Sequence, residues 1–169
     1  MTVLNQASEG LPSVLLVLWR TLRASKNRIK KDRLIAHCAP PSVVADQQVK
    51  QTLTTWTDLG VFRESGDEIR LTDSFKSLDY TKDPTYLEFG RATRDVAMAS
   101  THKNAQDFQR AAATLLASDI FGAHFSRFTE MEKWQSTHLE GAGTKVFTND
   151  TRWPAFKSWM QFLELAWSV

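Results

Sequence analysis

The side chains of this sequence that could make or break bonds are few and scattered. The four histidines are His37, His102, His124 and His138, and the acidic residues that could join them are Glu130, Glu132 and Glu140. A metal site needs ligands at short, characteristic spacings, such as two histidines four apart on one helix face. No such spacing occurs here. His138 and Glu140 are two apart, which on a helix directs them to different sides. Cys38 is the single cysteine, so disulfides and cysteine-based zinc sites are excluded. Its neighbour His37 is badly placed to activate it, because consecutive residues diverge on a helix. A buried thiol on an apolar face is the plainer reading. Phosphate loops, dinucleotide fingerprints and metalloprotease motifs are all missing from the sequence. The expectation is a protein with no catalytic residues, no metal and no cofactor.

The remaining chemistry is electrostatic. Arg20, Arg23, Lys26, Arg28, Lys30, Lys31 and Arg33 fall within 14 residues, and only Asp32 interrupts them. The net charge is only +2, so this is a local field on a nearly neutral chain. Such a cluster can neutralise several backbone phosphates of DNA and release their counterions. A solvated helix face lined with long cations is the competing explanation. The charge then reverses. Asp58, Glu64, Asp67, Glu68 and Asp73 outnumber Arg63 and Arg70 over the next stretch.

The elements that would position these residues follow from periodicity. Pro12 can open a helix at its first turn, and Val14, Leu15, Leu18, Trp19 and Leu22 recur at helical spacing, which predicts a first helix over 12–25. A second helix is expected over 31–38, with Leu34, Ile35 and Cys38 inward, stopped by Pro40-Pro41. Ser42 or Asp46 can cap a third, whose stripe is Val49, Leu53, Trp56 and Leu59 and whose stop is Gly60. Val61-Phe62-Arg63 and Glu68-Ile69-Arg70-Leu71 alternate as half-buried strands do, around a Ser65-Gly66-Asp67 turn. Three helices and a hairpin make a winged helix-turn-helix domain, placed at 1–80.

In that fold the third helix enters the major groove. Its outward residues are expected to be Gln47, Gln48, Lys50, Gln51, Thr54 and Thr55. Glutamine can pair with adenine, and threonine can touch a thymine methyl. Against this, Lys50 is the helix's single cation and the wing carries Glu64, Asp67 and Glu68, which phosphates repel. Arg20–Arg33 would therefore carry most of the affinity for duplex DNA. A protein–protein adaptor that never touches DNA is the alternative, with a transcription regulator behind it.

Residues 81–169 read as a helical region. Helices are expected at 85–100, 104–118, around 121–134 and at 153–167, with Phe121, Phe125, Phe128, Trp134 and Phe147 in core or contact surface. The last segment, FKSWMQFLELAWSV, echoes the third helix when Leu163-Glu164-Leu165 is set beside Leu59-Gly60-Val61. That echo would lead into a second winged helix, with Asp150-Thr151 as its cap, an ordinary amphipathic helix being the alternative; on either reading a longer protein is expected. Its apolar residues cover more than one face, so Trp153, Phe156, Trp159 and Trp167 are expected to meet a partner subunit, a second copy or a C-terminal continuation of the chain.

The stretches LPSVLLVLWR, APPSVV and VKQTLTTWTDLGVF, with the later NDTRWPAFKSWMQFLELAW, resemble the N-terminal region of the DpdG family. The family belongs to bacterial islands that place 7-deazaguanine in DNA and restrict foreign DNA. The resemblance implies a phage-defence component that works with DNA and with other subunits of a defence complex. It carries no catalytic motif. No secretory signal or membrane-length apolar run is present in the sequence, so a cytoplasmic location is expected.

Overall fold

Pro12 occupies the first position of α1 (Pro12–Ala24), where its missing amide costs no helical bond. Leu15, Leu18, Trp19 and Leu22 are its buried stripe. The structure, a computed structural model, describes residues 12–40, 46–79, 81, 86–117, 127–138, 146–147 and 152–166. After α1 come β1 (Arg28–Lys30), α2 (Lys31–Cys38), α3 (Asp46–Asp58), β2 (Phe62–Ser65), β3 (Glu68–Leu71) and α4 (Asp73–Lys76). The second half holds α5 (Leu87–Ala99), α6 (Lys103–Ala117), α7 (Phe128–His138) and α8 (Arg152–Phe162). The protein is mainly helical, with one antiparallel sheet in the order β1-β3-β2. Helix, strand, two helices and a hairpin in that order form a winged-helix-like unit.

The element that periodicity does not predict is β1. It has three residues and one apolar side chain, Ile29, between two exposed cations. It becomes a strand because β3 lies beside it, in the register Arg28↔Arg70, Ile29↔Ile69, Lys30↔Glu68. The short α4 is also unexpected. It carries the fully buried Phe75, whose carbonyl accepts a hydrogen bond from the Trp19 indole N–H at 3.1 Å.

Gly60 ends α3 as its position predicts, with φ at 95°. The Val61 N–H donates to the Trp56 carbonyl (2.9 Å) and the Gly60 N–H to Thr57 (3.1 Å), the paired bonds of a Schellman turn. The end of α8 repeats this residue for residue. Leu165 donates to Met160 (2.8 Å) and Glu164 to Gln161 (3.1 Å), with Glu164 at φ 56°. The echo between the two helices is thus present in the backbone. The second wing expected after it lies outside the described residues, as do Ser42, Asp150 and Thr151.

One aromatic chain joins the two halves. Trp19 of α1 stacks on Phe89 of α5 with centroids 4.6 Å apart. Phe89 meets Phe162 edge-on (6.0 Å), Phe162 meets Trp159 (5.9 Å), and Trp159 lies against Trp56 of α3 at 5.0 Å. The core therefore runs without a break across residue 80. Helices α5 and α8 come close enough that a Cβ on Gly90 would stand 2.8 Å from the Phe162 carbonyl oxygen.

The apolar residues of α8 were expected to lack cover within the chain, and this expectation is corrected. Trp153, Phe156, Trp159, Met160 and Leu163 are all buried. Phe108 of α6 and Phe147 lie 5.9 and 4.9 Å from Phe156, and Phe147 meets Trp153 edge-on at 5.2 Å. Residues before 150 supply the missing surface, so Trp153, Phe156 and Trp159 form core and no open contact face. Trp167 lies outside the described residues, and so do Phe121 and Phe125. Phe128 and Trp134 are half-buried against the core.

Two measurements check this packing. Trp56→Ala should cost about 3–5 kcal/mol in urea unfolding, the range for large aromatic truncations. Combined with Trp159→Ala it should cost less than the two single losses together, because the residues share one contact; additivity would mean the rings do not touch. Gly90→Ala should cost about 1–3 kcal/mol by overpacking against the Phe162 backbone, and a variant as stable as wild type would place α5 and α8 farther apart.

Candidate nucleic-acid interface

The cationic cluster of the sequence is divided by the fold. Arg23 is half-buried, and its Nη1 donates to the Asn27 Oδ1 at 3.0 Å and to the Lys76 carbonyl. It ties the end of α1 to α4 and offers little to a ligand. Arg20 is exposed, with its guanidinium 5.7 Å from the Tyr86 ring centre. Lys30 pairs with Asp67 (3.0 Å) and Lys31 with Glu64 (2.8 Å). Lys26, Arg28 and Arg33 are exposed and make no ion pair among the described residues. So the seven cations reduce to three fully available ones, with Arg20 beside them.

The wing supplies the carboxylates for those pairs. β2 and β3 pair through Ser65↔Glu68, Glu64↔Ile69, Arg63↔Arg70 and Phe62↔Leu71. The turn is Gly66-Asp67, with Gly66 at φ 64°. The Asp67 carbonyl also accepts the Lys31 N–H at 2.8 Å, which satisfies an amide at the start of α2 that has no helical partner. The wing is thus fastened to the start of α2 by one backbone bond and the Lys31–Glu64 ion pair, and to the end of β1 by the Lys30–Asp67 pair.

Directly opposed residues in an antiparallel sheet share a face. The buried face carries Ile69 and Leu71 with Phe62. The outer face carries Arg28, Arg70 and Arg63 in one cross-strand row and Lys30, Glu68 and Ser65 in the next. Arg70 donates to Glu68 through Nη2 (2.8 Å) and Nε (3.2 Å). Arg63 and Arg70 are the residues that sequence reasoning passed over. The signal existed: a two-residue turn at Gly66-Asp67 fixes the register and sets Arg63 opposite Arg70.

On α3, Gln47, Lys50 and Thr54 are exposed, while Gln48 and Gln51 are half-buried. Lys50 is held by Asp46 at 2.6 Å, so this helix presents an almost neutral surface. The Thr54 hydroxyl donates to the Lys50 carbonyl (3.0 Å). Thr55, expected outward, is buried together with Thr52. The buried side of α3 is thus wider than the single stripe that spacing predicts, and Trp159 of α8 lies against its Trp56.

Among the described residues no three His, Cys, Asp or Glu side chains come together as metal ligands. The Cys38 thiol is half-buried and donates to the Thr21 hydroxyl at 3.4 Å; burial pushes its pKa up, away from thiolate. Glu130 caps α7 by accepting the Arg127 N–H at 3.1 Å. His124, Glu140 and the side chain of His138 lie outside the described residues.

Fold and surface together define a mainly helical, winged-helix-like protein with exposed charges on its small antiparallel sheet. The chain belongs to the DpdG-like family, whose model matches residues 1–169. No curated protein and no solved structure matches it. Membership implies a role in the multi-component Dpd defence system. No helix among the described residues is long and apolar enough to cross a membrane.

The Lys30–Asp67 latch has a pH signature. The hydrogen bond from Lys30, and then its charge, hold the Asp67 carboxyl below the usual aspartate range. A depressed folded pKa means the attraction is present above the ordinary aspartate value and fades as pH falls through the lower folded one. Lys30→Gln should move the Asp67 titration upward in a carboxyl NMR experiment; an unmoved midpoint would show that the two groups do not interact in solution.

Proposed function

We propose that this chain is a non-enzymatic subunit that binds duplex DNA within the Dpd defence system. The observation that supports it is the group of exposed cations Lys26, Arg28 and Arg33 around the start of a winged-helix-like unit, which make no ion pair among the described residues. Cations with no internal carboxylate are free to replace the counterions of a phosphate backbone, and that exchange supplies most sequence-independent affinity. Gln47, Gln51 and Thr54 can add a modest preference for particular base edges. On this reading the protein works in the cytoplasm, beside DNA and the other subunits of the system.

A second reading, an adaptor that contacts only protein, draws support from one set of facts. Asp67, Glu64 and Asp46 already neutralise Lys30, Lys31 and Lys50. These are the places where a winged helix would face its groove.

Fluorescence anisotropy with labelled duplexes of unrelated sequence separates the two. The whole chain should bind at low salt, and log K should fall linearly with log salt. Lys26→Glu with Arg33→Glu should weaken binding by a similar factor on every duplex, since backbone contacts carry no sequence information. Wild-type protein that shows no binding at low salt would favour the adaptor.

A further inference from the structure

We propose that the outer face of the β1-β3-β2 sheet is the phosphate-contacting surface, with the row Arg28, Arg70 and Arg63 seated on consecutive backbone phosphates of duplex DNA. This rests on the DNA-binding reading above and names the face that does the binding.

The row breaks a rule of sheet stability. Like charges placed directly opposite one another destabilise a sheet. Here Arg70 has an arginine opposite it on both sides, in the pairs Arg28↔Arg70 and Arg63↔Arg70. One carboxylate, Glu68, lies on this face, and it is engaged by Arg70. Arg28 and Arg63 make no ion pair among the described residues. The charge of Arg63 acts on the Asp73 carboxyl only as the smallest of its influences, behind Lys76. Of the three arginines only Arg70 has an ion-pair partner among the described residues, and like charges left opposed in this way fit a site under functional demand.

The chemistry of the row fits one ligand class. Guanidinium groups present planar forks that meet phosphate oxygens two at a time, and they stay charged at any physiological pH. Two strand spacings set the row at roughly 9.5 Å across, wide enough for more than one phosphate of a strand. Lys30 shares this face beside Glu68, but its charge is already met by Asp67 at 3.0 Å, so the field of the face rests on the arginine row. Glu64 belongs to the opposite face, where it holds Lys31, and does not repel an anion here. By contrast, the exposed side of α3 has its one cation tied to Asp46. The sheet face and not α3 therefore carries the uncompensated field.

The test uses the whole chain, a short labelled duplex and the variants Arg63→Gln and Arg63→Lys. Arg63→Gln should reduce the slope of log K against log salt by about one, the value for one lost phosphate contact. Without DNA it should melt at or above wild type, because a like-charge contact has been removed. With saturating duplex the order of melting temperatures should reverse. Arg63→Lys should restore the slope and only part of the affinity, since the charge returns without the fork. Wild-type affinity and slope in Arg63→Gln would overturn the proposal. If Lys26→Glu with Arg33→Glu still weakened binding in that case, DNA binding would stand and only the face would be wrong. Melting of Arg63→Gln below wild type without DNA would equally overturn it, by showing that Arg63 stabilises the fold. Failure of the wild-type chain to bind would remove the DNA-binding reading itself.

Discussion

The contact between Trp56 and Trp159 fixes how everything else is arranged. Each ring is almost wholly buried, and neither indole N–H finds an acceptor among the described residues. An unsatisfied buried donor costs on the order of 1–3 kcal/mol. The pair persists because apolar burial and ring contact outweigh that cost; aromatic pairs contribute about 0.5–1.5 kcal/mol beyond their burial. Through this contact α8 closes over α3, and through Phe162, Phe89 and Trp19 it reaches back to α1. The winged-helix-like unit consequently has one of its sides sealed by the second half of the chain. The outer face of the sheet, with Arg28, Arg63 and Arg70, stays exposed.

What the surface offers to a ligand depends on proximity in space more than on order in the chain. The seven cations from Arg20 to Arg33 look like one patch when written in a line. Folding sends Arg23 to a helix end, gives Lys30 and Lys31 carboxylate partners from a turn far along the chain, and brings Arg63 and Arg70 to Arg28. Exposed pairs such as these add little stability, because water and salt screen them. Their influence lies in the field. They cancel charge at the wing tip and α3 and leave it standing on the sheet.

Local patterns were legible to the extent that they depended on neighbours in sequence. The stripes of α1 and α3, the stop at Gly60 and the hairpin could be read from spacing and turn chemistry. So could the likeness between the ends of α3 and α8, because a Schellman turn is written in six consecutive residues. β1 was hidden because three residues with one apolar side chain show no period. The cover over Trp153, Phe156 and Trp159 was hidden because it comes from Phe108, Phe147 and Trp56, which no local pattern ties to α8. Apolar residues all round a helix do signal burial, but they do not say whether the covering surface belongs to the same chain. The arginine row was half visible: hairpin register places Arg63 against Arg70, while Arg28 joins only once β1 is known.

The fastening of the wing to α2 bears on the entropy of recognition. A free hairpin samples many orientations, and a ligand must collect them into one, at roughly 0.5–1.5 kcal/mol for each mobile side chain it immobilises. Here the Asp67 carbonyl, Asp67 carboxylate and Glu64 hold the tip before any ligand arrives. The backbone bond among these three contacts is indifferent to ionic strength, whereas the ion pairs are screened within a Debye length of about 8 Å in physiological salt. The wing therefore stays preorganised in conditions where its charges have weakened, and association can be limited by encounter rather than by the ordering of a loose loop.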